Sequence, residues 1–313
     1  MIITITLNTA LDRTLRIEQP LQVGKLNRAV SSYLEPGGKG INVSRAVKAL
    51  GGDSIALGFC AGTNGRIIKD ALTAADIHHD FVDLSGQTRV NTQIIDAQGG
   101  HTEINEPGSK LEDADFLRFL DRMDNYLDAG NIFVLAGSCP PDFPLQNYRK
   151  ICKKIKKAGC RLIIDAQGEL MLEALQCEPD FVKPNIFELA EAVGEKPSAD
   201  PDVVLVSARK MLEMGARAVC VSMAQEGALL VAKDEPEALY ANCNPKIYDE
   251  GSVGTGDAMV GAIANSMHKG LRFDEMARFA VAAARASARL PGTEMATLKK
   301  VYEVYETTEV YTL

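Results

Sequence analysis

Strand-like and helix-like segments alternate along almost the whole of this 313-residue chain, which predicts an α/β fold with a mostly parallel central sheet covered on both faces. Short apolar runs at 2–7, 54–59 and 132–136 read as buried strands, and amphipathic or Ala-rich stretches between such runs read as helices. Two stretches, about 13–35 and 88–107, lack helical period and carry alternating runs instead, so they are expected to meet as a small second sheet, a lid hinged on the main domain. No repeat or linker divides the chain, and one domain over residues 1–313 is expected.

Taken in order, the run 2–7 forms the first strand and ends in the polar Asn8-Thr9-Ala10-Leu11-Asp12, at the strand end where open α/β sheets place ligands. Alternating runs at 14–17 and 28–34 are split by Pro20 and Gly24. Pro36-Gly37-Gly38-Lys39-Gly40 enters a helix over 42–50. Strand and helix follow at 54–59 and 64–75, then a weaker strand at 81–84 and a hairpin of 88–96 with 101–105 around Gly99-Gly100. A helix over 111–127 precedes the strand 132–136, which runs into Gly137-Ser138-Cys139-Pro140-Pro141. A Lys-rich helix over 148–157 leads to the strand 162–164, ending at Asp165. A short strand at 181–182 leads into Lys183-Pro184-Asn185, with Glu188 one turn on, a pattern that reads as a capping box. Beyond it come a helix over 203–214, strands at 218–222, 228–232 and 239–242, helices over 258–268 and 274–290, and a closing helix over 299–306.

Composition narrows the function classes. A net charge of -8 argues against nucleic acid. Seven scattered cysteines without a Cys-x-x-Cys pair read as reduced thiols, and no His-x-x-x-His spacing points to zinc. No apolar run is long enough to span a membrane, and the apolar Met1–Ile5 segment lacks a basic leader, so a cytoplasmic chain is expected.

The chemistry concentrates where glycines enter helices. In Val253-Gly254-Thr255-Gly256-Asp257 two glycines lead into an Ala-rich helix, where unused N–H groups and the helix dipole favour an anion. Asp257 puts a carboxylate in that same turn. By itself it reads equally as a first-turn helix acid and as a base taking a proton from a hydroxyl that attacks a phosphate. Gly37-Gly38-Lys39-Gly40 is a second such entrance, with a cation; its spacing is not that of a P-loop.

Together these motifs resemble the ribokinase-like (PfkB) carbohydrate kinase family over essentially the full length, and within it the 1-phosphofructokinase and tagatose-6-phosphate kinase branch. The resemblance is carried by Thr6-Leu7-Asn8-Thr9-Ala10-Leu11-Asp12, Gly37-Gly38-Lys39-Gly40-Ile41-Asn42-Val43, Thr88-Arg89, Thr102-Glu103-Ile104-Asn105, Gly137-Ser138, Lys183-Pro184-Asn185 with Glu188, and Gly254-Thr255-Gly256-Asp257. It implies a ribokinase-like three-layer α/β/α domain with a small β-sheet lid, ATP and Mg²⁺ as cofactors, and a sugar phosphate as acceptor. It also implies roles. Asp257 is the base, and Gly254, Thr255 and Gly256 form the anion hole. Asn185 and Glu188 hold the metal, and Lys183, Ser222, Ala224 and Gly227 lie with Gly254 and Gly256 along the nucleotide. Asp12, Gly38 and Asn42 bind sugar hydroxyls; Lys39 and Arg89, with Lys25 and Ser138, meet the existing phosphate. A homodimer through the small sheet is allowed. The chain departs from the pattern at Thr9, where the branch usually has Pro, at Ala61 and Ala224, which replace glycines, and at Thr255, which replaces Ala or Ser.

The function expected is ATP-dependent phosphorylation of a ketohexose phosphate, fructose 1-phosphate to fructose 1,6-bisphosphate first and tagatose 6-phosphate second. Two cations at Lys39 and Arg89 favour a phosphorylated acceptor over a bare sugar. A non-catalytic sugar-phosphate sensor is the reading from another class, favoured by the altered glycines and opposed by Asp257, Asn185 and Glu188. A dinucleotide-dependent dehydrogenase lacks the acidic residue on a later strand that a ribose requires.

Overall fold

The computed structural model describes residues 1–243 and 254–313; Val253, at the head of the last glycine stretch, lies outside them. The chain begins with β1 (Ile2–Thr6), buried throughout, then turns sharply into β2 (Ala10–Ile17) and β3 (Ala29–Gly37), which leave the central sheet. It returns through α1 (Lys39–Ala49), β4 (Ser54–Ala61), α2 (Gly62–Ala74) and β5 (His78–Leu84) before a second excursion, β6 (Arg89–Ile95) and β7 (His101–Asn105). Helix–strand alternation resumes with α3 (Asp113–Asp124), β8 (Ile132–Ala136), α4 (Leu145–Lys157), β9 (Arg161–Asp165), α5 (Glu169–Leu175), β10 (Phe181–Val182), α6 (Ile186–Val193) and α7 (Pro201–Glu213). The remainder is β11 (Ala218–Ser222), a 3-10 turn at Ala224–Glu226, β12 (Ala228–Ala232), β13 (Leu239–Cys243), α8 (Thr255–Lys269), α9 (Phe273–Ser287), α10 (Leu298–Tyr305) and β14 (Thr308–Thr312).

Among the described residues, ten strands form one sheet in the order β14-β13-β12-β11-β10-β9-β8-β1-β4-β5. It is parallel from β5 to β11 and antiparallel from β11 to β14. The parallel strands are apolar on both faces because helices cover both. On β8, Phe133 and Leu135 join the core under α3, α4 and α7, while Ile132 and Val134 join the core under α1, α8 and α9. That alternation is the three-layer architecture, and it agrees with the expected ribokinase-like fold.

The two excursions meet in a second sheet of order β3-β2-β6-β7. They meet by a parallel pairing of β2 with β6, in register from Ala10 with Arg89 to Arg16 with Ile95. The pairing brings Asp12 opposite Asn91. The small sheet draws on strands spanning 10–37 and 89–105, against the 13–35 and 88–107 expected, because pairing begins as soon as the chain leaves β1. A third apolar cluster, including Leu11, Ile41, Ile68 and Phe81, joins this region to α1 and α2.

Two elements escaped the sequence pattern: α5 has only seven residues, and β14 is a mostly exposed edge strand without alternation of burial. Thr9, where proline was expected, donates its hydroxyl to the Phe59 carbonyl and so ties the exit of β1 to β4.

The exit of β1 depends on Gly58, which pairs with Thr6 at φ +144; a Cβ there would lie 2.0 Å from the Thr6 carbonyl oxygen. Gly58→Ala is therefore expected to destabilise the chain by about 3 kcal/mol or more, read as a fall in denaturation midpoint or loss of soluble protein. An unchanged midpoint would refute the close approach.

Candidate active site

The carboxyl ends of the parallel strands and the inner side of the small sheet enclose a cleft of about 1040 Å³. That is the upper end of the ~300–1,000 Å³ range of small-molecule sites, room for two substrates side by side. Every site residue expected from the sequence lines it except Lys25. Lys25 sits in the exposed loop between β2 and β3, where its backbone N–H donates to the Gln22 carbonyl.

One end of the cleft is built by the small sheet. Asp12, 8% exposed, projects from β2 and accepts a hydrogen bond from Asn91 Nδ2 at 3.0 Å. Burial raises its carboxyl above the usual range, against the Asn91 bond and the Arg89 charge. Gly37 leaves room for this carboxylate: a Cβ there would fall 2.1 Å from Asp12 Oδ2 and force the Asp12 side chain to move. Arg89, at the start of β6, is not a solvated strand charge. It is half-buried, its terminal nitrogens donate to the carbonyls of Glu106 (3.0 Å) and Asn8 (3.1 Å), and its Nε has no partner among the described residues. Burial lowers its pKa. Asn8 in turn donates to Ser138 Oγ at 3.4 Å, which joins the end of β1 to the turn after β8.

The centre is a charge cluster. Asp165, at the end of β9 and fully buried, places one oxygen 3.1 Å from Lys39 Nζ and 3.5 Å from Lys183 Nζ. Burial alone would raise its pKa, but the charges of Lys183 and Lys39 outweigh that and hold it below the usual carboxylate range. Lys39, desolvated yet surrounded by Asp165, Asp257 and Glu188, has its ammonium pKa raised. The sequence paired Lys39 with Arg89; the structure pairs it with Lys183 across Asp165. In the sequence Asp165 reads only as the end of a strand, and its position at a buried strand's carboxyl end is the available signal.

Asp257 stands in the first turn of α8, whose N-cap is Gly254 in the left-handed conformation. The N-cap position itself is therefore held by a glycine, and Asp257 is the acid of the first turn. Its Oδ2 accepts from Asn42 Nδ2 at 2.8 Å, across from α1. Burial and the neighbouring Asp165 charge push its carboxyl up to about 7, against Lys39, the Asn42 bond and Lys183. A carboxyl that takes and releases a proton near neutrality suits a general base. Gly256, one residue earlier, sits beside Lys183, whose Nζ would lie 3.4 Å from a Cβ at that position.

The other end belongs to the loop after β11. Ser222, Ala224 and Gly227 line it. Ala224 adopts φ +48, a left-handed conformation that costs a non-glycine residue about 1–2 kcal/mol, and its carbonyl accepts from Arg285 Nη2 at 3.0 Å. The alanine thus fits where a glycine was expected, under strain. Asn185 and Glu188 do form the capping box: Asn185 Oδ1 accepts from the N–H groups of Phe187 and Glu188, and Glu188 Oε2 accepts from the Asn185 N–H. Both nonetheless line the cleft.

Asp165→Asn would leave the nearly buried Lys183 without its counter-charge, and a loss of about 3 kcal/mol or more of stability is expected by thermal or urea unfolding. Wild-type stability in that variant would show that the lysines do not depend on Asp165.

Comparison with known proteins agrees with this geometry. Residues 5–300 match the pfkB family carbohydrate kinase pattern. The chain is 38% identical to a 1-phosphofructokinase of Bacillus subtilis, over 92% of each chain. It is 32% identical to an ATP-dependent 6-phosphofructokinase isozyme 2 of Escherichia coli, over 97% of each. Its fold superposes on a crystal structure described as a possible 1-phosphofructokinase of Thermotoga maritima with TM-score 0.88 and 30% identity, covering 100% of this chain and 99% of that one.

Proposed function

This chain belongs to the pfkB family of carbohydrate kinases, and from that premise we infer that it transfers the terminal phosphoryl group of ATP to fructose 1-phosphate, giving fructose 1,6-bisphosphate. The observation that carries the reading is the buried Asp257 carboxyl, held near neutral pKa at the start of α8 beside two lysines. The resemblance to 1-phosphofructokinases at 38% identity supports the acceptor, and the ATP-dependent relative supports the donor.

In this reading the sugar lies at the small-sheet end. Asp12 and the Gly38 backbone hold its hydroxyls, and Arg89, with Ser138 nearby, meets the phosphate it already carries. Asn42, on the same side, also orients Asp257. The nucleotide lies along Ser222, Ala224 and Gly227, its last phosphate over the amides that open α8 at Gly254, Thr255 and Gly256. Asp257 takes the proton of the attacking hydroxyl as the new O–P bond forms and the bond to the ADP oxygen breaks. Lys183 and Lys39 face the charge that spreads over the moving phosphoryl group. The small sheet covers the sugar as a lid and excludes water.

Mg²⁺ fits the donor set modestly. Glu188 has one oxygen on the Asn185 N–H and one left for a ligand, and Mg²⁺ keeps most of its waters and takes few protein carboxylates. Asn185 and Glu188 would hold it through water, and it would supply charge neutralisation on the nucleotide phosphates. A homodimer through the small sheet is supported by apolar residues exposed on it and on its loop, among them Leu26 (75%), Val30 (60%) and Ile104 (57%). A cytoplasmic setting agrees with seven free cysteines.

An ADP-release assay across fructose 1-phosphate, fructose 6-phosphate, tagatose 6-phosphate and fructose should give the highest kcat/KM with fructose 1-phosphate; a higher value on another acceptor overturns the assignment. Asp257→Asn should lower kcat by roughly a hundredfold or more with little change in sugar-phosphate affinity. A base must be ionised to act, so kcat/KM should fall on the acid side through a limb near pH 7. Arg89→Ala should chiefly raise KM for the phosphorylated sugar, and unchanged kinetics would remove it from the phosphate site.

A further inference from the structure

A line of polar contacts runs from the small sheet to Asp257. Glu35, on β3, pairs with Arg45, on α1, through Oε1 and Nη2 at 2.8 Å; their side chains are 22% and 17% exposed. The other terminal nitrogen of Arg45 donates to the Thr293 hydroxyl at 2.9 Å, and at 3.3 Å to the Pro36 carbonyl and to Asn42 Oδ1. Asn42, three residues earlier on α1, donates its Nδ2 to Asp257 Oδ2. Thr293 also lies beside the start of α8, since a Cβ on Gly254 would be 3.6 Å from its Cα.

Donor and acceptor chemistry gives this line a direction. A guanidinium only donates and an ionised carboxylate only accepts. The amide between them must therefore turn its oxygen to Arg45 and its nitrogen to Asp257. Reversed, it would set NH₂ against guanidinium and carbonyl oxygen against carboxylate, two repulsive contacts in a buried place. Arg45 thus selects the one amide orientation that favours ionised Asp257. Glu35 and Pro36, both on β3, are the members of the line that belong to the small sheet, so Arg45 is held fully only when that sheet is seated on the main body.

We propose that Arg45 is a positioning residue for phosphoryl transfer, holding the Asn42 amide toward Asp257, and that Glu35 makes this hold depend on the seating of the small sheet over the acceptor. The proposal rests on Asp257 as the base. The charges acting most strongly on Asp257 are Asp165 from the end of β9, Lys39 from α1 and Lys183 after β10; Arg45 acts on it through Asn42.

The test is the pH profile of kcat/KM for fructose 1-phosphate in Arg45→Met, Arg45→Lys, Glu35→Ala, Asn42→Ala and the Asn42→Ala/Arg45→Met double variant, with Asp257→Asn alongside and thermal melting of each. Arg45→Met should move the acid limb to higher pH by roughly half to one unit, the scale of loosening one hydrogen bond to a charged group. It should also lower kcat at neutral pH several-fold. Arg45→Lys should recover most of the loss, and Glu35→Ala should move the limb the same way by less. In the Asn42→Ala background, Arg45→Met should add no further shift. A full shift in that background would mean that the Arg45 charge acts through space, and an unmoved limb in folded Arg45→Met and Glu35→Ala would mean that it does not act; either overturns the proposal. Where Arg45→Met does not fold, Glu35→Ala decides alone, an unmoved limb overturning the proposal. Near-normal kcat in Asp257→Asn removes the base reading and the proposal together. An inactive Asp257→Asn with unmoved limbs elsewhere removes the proposal only.

Discussion

One buried carboxylate sets the electrostatics of the cleft. Asp165 has no solvent to stabilise its charge, so the two ammonium groups that share its oxygen do so instead. In sharing it, Lys39 from α1 and Lys183 from the end of β10 are drawn to one place. Its negative charge also adds to burial in raising Asp257 toward 7, while the same lysines limit that rise. In the proposed function, a site for two anionic substrates needs cations that do not collapse onto Asp257. Asp165 meets that need by neutralising part of the lysine charge and by holding both side chains in position.

The fold delivers these groups by a simple rule. Parallel strands covered by helices on both faces end along one edge, and the turns after them are where polar backbone can face a ligand. β1, β8, β9, β10 and β11 each contribute at that edge. The small sheet closes the cleft from above, because β2 and β6, distant in sequence, pair in parallel and bring Asp12 opposite Asn91. The lid and the central sheet are therefore one continuous path of chain, with β1 turning directly into β2 and β3 directly into α1.

Much of the fold and most of the cleft lining are legible in the sequence. The strands with strong apolar character fell within a few residues of their observed ends, and every expected site residue but one lines the cleft. Lys25 is the exception, since a lysine between two alternating runs carries no information about the direction of its loop. The weak elements were missed for a physical reason: β14 is held by pairing with β13 and by the Arg278 contact to the Thr308 carbonyl, neither of which leaves a periodic mark. Asn185 and Glu188 form the capping box that their spacing predicts, and because each side chain has more polar atoms than its cap consumes, both also line the cleft.

By itself the amino-acid sequence determined the alternating architecture, the glycine entrances to α1 and α8, and the acid that follows the second of them. These are local properties: apolar period, backbone freedom and residue type, each written within a few positions. Only the tertiary structure decided that Lys39 answers to Asp165 and not to Arg89, that burial beside Asp165 pushes the Asp257 carboxyl up, and that Asn42 and Arg45 stand between it and the small sheet. Those are properties of distance and burial between residues up to 215 positions apart, and no local pattern carries them.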